Sequence, residues 1–156
     1  MHRLAALAAV SALLTGCQSD APCTLIGTSV GVGVNVEAPL AAKAESVSME
    51  VCWDGTCRPV SVELRPSTRM TGTCSGDTCS ASGVPTADKH GFGDVKGLPK
   101  RKVEVRLTLR DASSAPILRR TAEVTPKGSF PNGPRCGEGG PSTALTVGGD
   151  GVVRER

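Results

Sequence analysis

Apolar and polar side chains alternate along much of this chain. Valine takes every second place in Val30-Gly31-Val32-Gly33-Val34-Asn35-Val36. A period of two is that of a strand with one buried face. Residues 46–53 alternate again, with Val47, Met49 and Val51 on one face and Ser48 and Glu50 on the other. Asp54-Gly55 follows, a type I′ hairpin signal, because both positions of that turn need φ above zero. Residues 56–64 then return as the second arm. The strictest alternation is Val103-Glu104-Val105-Arg106-Leu107-Thr108-Leu109-Arg110. A turn at residues 111–116 leads to a strand with Leu118, Ala122 and Val124 on one side and Arg119, Thr121 and Glu123 on the other. Residues 91–95 form a short strand candidate, and residues 143–147 can close a sheet. Residues 127–141 are expected to be a long loop and residues 148–156 a frayed tail. No long helical period occurs after the first twenty-two residues; residues 38–45 hold one helical turn at most.

The hairpin register follows from the turn. With Asp54-Gly55 as a two-residue loop, Val47 faces Val62, Met49 faces Val60, Ser48 faces Ser61 and Cys52 faces Cys57. Apolar meets apolar and polar meets polar, a match that a one-residue slip would destroy. Cys52 and Cys57 fall in a non-hydrogen-bonded pair, whose Cα atoms lie ~4.5 Å apart, within disulfide reach. Pro59 falls opposite Glu50, also in a non-hydrogen-bonded position, which predicts an edge strand over residues 57–64. Cys74-Ser75-Gly76-Asp77-Thr78-Cys79 repeats the same spacing. A Gly76-Asp77 turn places Cys74 against Cys79 in the same way.

The N-terminus has a different pattern. Arg3 precedes an apolar run over residues 4–14, and Leu14-Thr15-Gly16-Cys17 follows. The run is too short for a spanning helix, which needs ~20 apolar residues, and has the length of a signal-peptide core. Leu14-Thr15-Gly16-Cys17 resembles the lipobox of bacterial lipoproteins. The resemblance implies a cleaved signal peptide over residues 1–16 and a diacylglycerol on the Cys17 sulfur, and leaves open whether the new amino group is acylated. Residues 17–22 then form a short lipidated tether, and residues 23–147 the folded domain. Two acyl chains hold a protein stably at a membrane where one is marginal. The implied location is the extracytoplasmic face of the cell membrane.

Export bears on the cysteines. The chain has 7. With Cys17 committed to lipid, six remain, in a compartment where disulfides persist. Cys52–Cys57 and Cys74–Cys79 leave Cys23–Cys136, which ties the start of the domain to the long loop before the last strand. The pattern as a whole predicts an all-β fold: an antiparallel two-sheet sandwich of seven to eight strands, stapled by disulfides. Gly97-Leu98-Pro99, the strand 103–110 and Asp111 resemble the late hairpin of fibronectin-III and immunoglobulin-like modules, which implies an immunoglobulin-like architecture. The whole chain resembles small lipoproteins of GC-rich bacteria, a class that implies no particular activity.

Composition narrows the function. The net charge of +3 falls to +2 when Arg3 leaves with the leader, too balanced for a dedicated nucleic-acid binder. The basic triplet Lys100-Arg101-Lys102 reads as a solvated loop, with contact to anionic headgroups as the alternative. His90 is the one histidine left after cleavage and reads as an exposed loop residue. It is the only possible base for a Ser–His–acid triad, and no Gly-x-Ser-x-Gly elbow occurs. No cysteine has a neighbouring histidine for zinc, and no Asp-x-Asp-x-Asp loop offers a calcium site. No metal or cofactor is expected. Aromatic residues are 2% of the chain, which argues against a carbohydrate platform. Trp53 and Pro59 remain as binding candidates. The expectation is a lipid-anchored, non-enzymatic binding or structural module of the cell envelope with a protein partner. The rivals are an accessory subunit docking a membrane or secreted enzyme, and a small hydrolase or inhibitor using loop 127–141.

Overall fold

The computed structural model describes residues 23–156; Cys17, the leader and the tether lie outside them. Ten strands form two sheets among the described residues: β1 (Gly31–Val36), β2 (Ser46–Trp53), β3 (Thr56–Glu63), β4 (Arg65–Ser75), β5 (Thr78–Asp94), β6 (Val103–Arg110), β7 (Pro116–Val124), β8 (Lys127–Ser129), β9 (Gly139–Val147) and β10 (Val153–Glu155). A 3-10 turn at Leu40–Ala42 is the helical turn expected within residues 38–45. One sheet runs β3-β2-β6-β7. The other runs β10-β9-β1-β5-β4, with β8 pairing to β9.

The core is aliphatic, as an aromatic-poor chain requires. Val32, Val34 and Val36 of β1, with Leu145 and Val147 beside them on β9, face Val47, Met49 and Val51 of β2 and Val105, Leu107 and Leu109 of β6; all are buried. Burying each such side chain contributes about 1.5–3 kcal/mol. The alternation read from the sequence is the alternation of burial: β6 reads buried at Val103, Val105, Leu107 and Leu109 and less so between them. The β2–β3 register is the one deduced from the turn, from Ser46↔Glu63 to Trp53↔Thr56. Asp54 (φ 50°) and Gly55 (φ 73°) both take the left-handed conformation of a type I′ turn. β3 is the outer strand of its sheet.

Four expectations need correction. The sheets are not purely antiparallel: β1 and β9 pair in parallel, Gly31↔Ser142 through Val36↔Val147. This pairing joins residues more than a hundred apart, which no local pattern encodes. The strands number ten rather than seven to eight. β8 and β10 are short, the expected long loop 127–141 holds β8 and the start of β9, and β4 is an 11-residue strand where only its cysteine tip was expected. Residues 148–156 are not frayed. Gly148 and Gly151 close a turn, and β10 returns along β9 as Val153↔Val147 and Glu155↔Leu145. The domain therefore reaches Glu155. Residues 91–95 hold the end of a 17-residue strand, β5, not a short one.

Glycines in β5 let the two sheets meet. A Cβ at Gly93 would lie 2.4 Å from Val60 Cγ1, and one at Gly91 would lie 2.5 Å from Val62 Cγ1. Only glycine permits so close an approach of β5 to β3.

Candidate functional site

The disulfides are Cys23–Cys136, Cys52–Cys57 and Cys74–Cys79. The two short bridges span Cα atoms 4.0 Å apart and the long one 5.4 Å. Three disulfides mark an extracytoplasmic protein.

The two binding candidates on the first hairpin do not form one site. Trp53 ends the inward row of β2, half-buried against the core. The Arg58 guanidinium sits over its ring, 5.1 Å from the centroid, a cation–π contact. The covered ring is no open platform. Pro59 lies on the opposite face, paired with Glu50. A shallow groove of about 370 Å³ runs along this sheet edge, between residues 56–60 and Asp94, Val95 and Lys96. The basic triplet is compensated: Lys100 pairs with Glu138, Arg101 with Asp54, and Lys102 with Glu123 at 3.1 Å.

His90 is on strand β5, not in a loop. It pairs with Asn35 of β1 and Arg65 of β4. Its Nδ1 lies 3.1 Å from Ser67 Oγ. Both line an open groove of about 490 Å³ with Asn35, Thr68, Ala144 and Arg156. A hydroxyl against an imidazole is the contact of a nucleophile and its base. Asp88, two residues away, is engaged elsewhere and accepts the Ala38 N–H at 3.1 Å. His90 is exposed, so solvent competes for the contact. Among the described residues no group of three His, Cys, Asp or Glu side chains could hold a metal ion. No helix among them is long and apolar enough to cross a membrane.

The feature that sequence reading missed is an arm. β4 and β5 extend together far beyond the core. From Thr68↔Pro85 to Ser75↔Thr78 they pair with each other alone, over roughly 25 Å at ~3.3 Å per residue. Every residue of this stretch is exposed. The register separates two faces. One carries Thr68, Met70, Gly72 and Cys74 opposite Pro85, Gly83, Ala81 and Cys79. The other carries Arg69, Thr71, Thr73 and Ser75 opposite Val84, Ser82, Ser80 and Thr78. The second is nearly all hydroxyl; Thr73 Oγ1 and Ser80 Oγ lie 3.3 Å apart, and Thr71 Oγ1 donates to the Ser82 carbonyl. The first is smooth and weakly apolar, with Met70 68% exposed. The Cys-x₄-Cys tip was legible in the sequence; the length of the arm behind it was not, because its strands lack apolar alternation.

Comparison with protein families, with curated proteins and with solved structures finds no match to this chain.

Proposed function

We propose that this protein is a lipid-anchored, extracytoplasmic, non-enzymatic binding module, held at the membrane through Cys17 and engaging a protein through the β4–β5 arm. The arm carries the reading. A two-stranded ribbon outside a core is marginally stable in water. This one is closed at its tip by Cys74–Cys79 and presents two chemically distinct faces. Order without burial is useful for display. The domain behind it is a scaffold, which we take to be an immunoglobulin-like sandwich. In support, the first seven strands fall in the order of strands B, C, C′, D, E, F and G of that fold: β1, β5 and β4 as B, E and D, and β3-β2-β6-β7 as C′CFG. β9, from the far end of the chain, takes the place beside β1 that the first strand A would fill.

The partner is tested in intact cells. A photo-crosslinking residue replacing Met70 should capture one protein. Replacing residues 68–85 by a two-residue turn should abolish that protein's co-purification while the three-strand neighbourhood of β1 stays folded. Equal recovery with the shortened arm would refute the reading. The anchor is tested by a fatty-acid probe, which should label the wild type and not Cys17→Ala.

A further inference from the structure

We propose that the corner around Cys23–Cys136 is a bilayer-contact surface, in which Leu25, Ile26 and Phe130 enter the membrane interface and Arg135 and Lys127 face anionic headgroups. This rests on the anchor at Cys17 and adds a face and an orientation to it.

The first argument is reach. Five residues separate Cys17 from Cys23. Even fully extended, the chain between the two Cα atoms spans at most ~20 Å. A lipidated Cys17 therefore keeps this corner near the lipid surface whatever the rest of the domain does.

The second is rigidity. Cys23 is bonded to Cys136. Asn132 clamps the residues that follow: its Oδ1 accepts the Ile26 N–H at 2.9 Å and the Thr24 hydroxyl at 2.6 Å, and its Nδ2 donates to the Ile26 carbonyl at 3.0 Å. Thr28 Oγ1 accepts the Gly140 N–H at 2.8 Å. The entering segment is thus part of the domain, so the point of attachment and the orientation of the domain are coupled.

The third is polarity. Leu25 is 100% exposed, Ile26 57% and Phe130 49%. The Asn132 clamp ties the Ile26 backbone to the loop that carries Phe130, two residues before Asn132. Leu25 lies between the disulfide and the clamp. These side chains lie outside the core. Arg135 adjoins Cys136, and Lys127 begins the strand β8 that leads into Phe130; both are exposed. Apolar side chains flanked by cations suit a membrane interface, where the apolar groups leave water and the cations meet anionic headgroups.

The test uses the lipidated protein with its fatty-acid label, reconstituted in phosphatidylcholine–phosphatidylglycerol vesicles with and without bromine on the acyl chains. Phe130→Trp, in a Trp53→Phe background, places an indole at the corner; Leu25→Trp in that background is the second reporter. Both substitutions are at exposed positions, and Ala112→Trp in the same background, in the exposed β6–β7 turn at the other end of the sheets, is the control. Bromine should remove most of the emission of the corner indoles and leave that of the control indole unchanged. Label present with no quenching at either corner position overturns the bilayer contact and leaves the anchor standing. Quenching of the control indole as strongly as the corner indoles overturns the orientation. Absence of the label sinks the anchor reading itself. Corner indoles unquenched on vesicles but shielded from soluble quenchers in cell envelopes would assign the corner to a protein instead, against the proposal.

Discussion

Two hairpins of this molecule share a tip and little else. β2–β3 and β4–β5 each end in Cys-x₄-Cys, each closed by a bridge across Cα atoms 4.0 Å apart. In the first, Val47, Met49 and Val51 are buried and the arms lie in the sandwich. In the second, everything from Thr68 to Pro85 is exposed. Even the turns differ. Asp54 and Gly55 both have positive φ, whereas in the second turn Gly76 has φ 59° and Asp77 does not have positive φ. The same local covalent device serves a hairpin held by burial and one held by little but the bridge and its ladder. A cross-link at a tip therefore does not reveal what holds the arms.

Substitution should separate the two hairpins most at their methionines. Met49→Ala removes a side chain that is 2% exposed and should cost about 2–5 kcal/mol. Met70→Ala, on the arm, should change stability by no more than about 0.5 kcal/mol. Urea unfolding midpoints check both. A large loss for Met70→Ala would mean that the arm folds back on the body and would break the comparison.

The bridges should differ less. Chain entropy assigns a six-residue loop about 2 kcal/mol. Replacing Cys52 and Cys57 together by alanine should cost most of this, because burial holds those arms paired in the native state. Replacing Cys74 and Cys79 should cost less. The freed arm can open without unfolding the core, so native and unfolded states gain entropy together. Hydrogen exchange should then accelerate over residues 68–85 alone. Equal losses at the two tips would show the arm to be as tightly held as the core hairpin.

A third hairpin, β6–β7, sharpens the comparison with the smallest effect. Its turn is closed by a carboxylate instead of a disulfide. One oxygen of Asp111 accepts the Ser113 hydroxyl at 2.7 Å and the N–H groups of Ser113 and Ala115 at 2.9 Å. The Ser113 hydroxyl and then the Ala115 N–H hold its pKa below the ordinary carboxylate value. A lowered folded pKa means that the charged form is favoured by folding. Its contribution is present above the unfolded pKa of ~3.9 and is lost as pH falls through the folded value. Carbon-13 titration should place the Asp111 midpoint below that of an unfolded peptide. Asp111→Ala should remove this part of the acid dependence and leave the β6–β7 pairing intact. A midpoint at the ordinary value would show that the turn is not held by its carboxylate.

The sequence by itself determined what depends on neighbours. The β2–β3 register, both short bridges and the aliphatic identity of the core follow from alternation and turn chemistry, which act over a few residues. The long bridge followed by elimination, once Cys17 was assigned to lipid. Tertiary structure alone decided the rest. The parallel β1–β9 pair and the return of β10 join segments whose own patterns are neutral, because a ladder depends on backbone groups that every residue carries. The glycines of β5 gained a meaning only when Val60 and Val62 were placed against them. The arm was invisible because an exposed ribbon has no buried face, and with no buried face there is no hydrophobic period to read. What covers Trp53 was decided by the fold, which lays the Arg58 guanidinium over its ring. The corner at Cys23–Cys136 shows both levels at once. The proposed lipid attachment at Cys17 is separated from Cys23 by five residues of sequence, and only the fold brings the loop of Phe130, Arg135 and Cys136 onto the residues that follow Cys23.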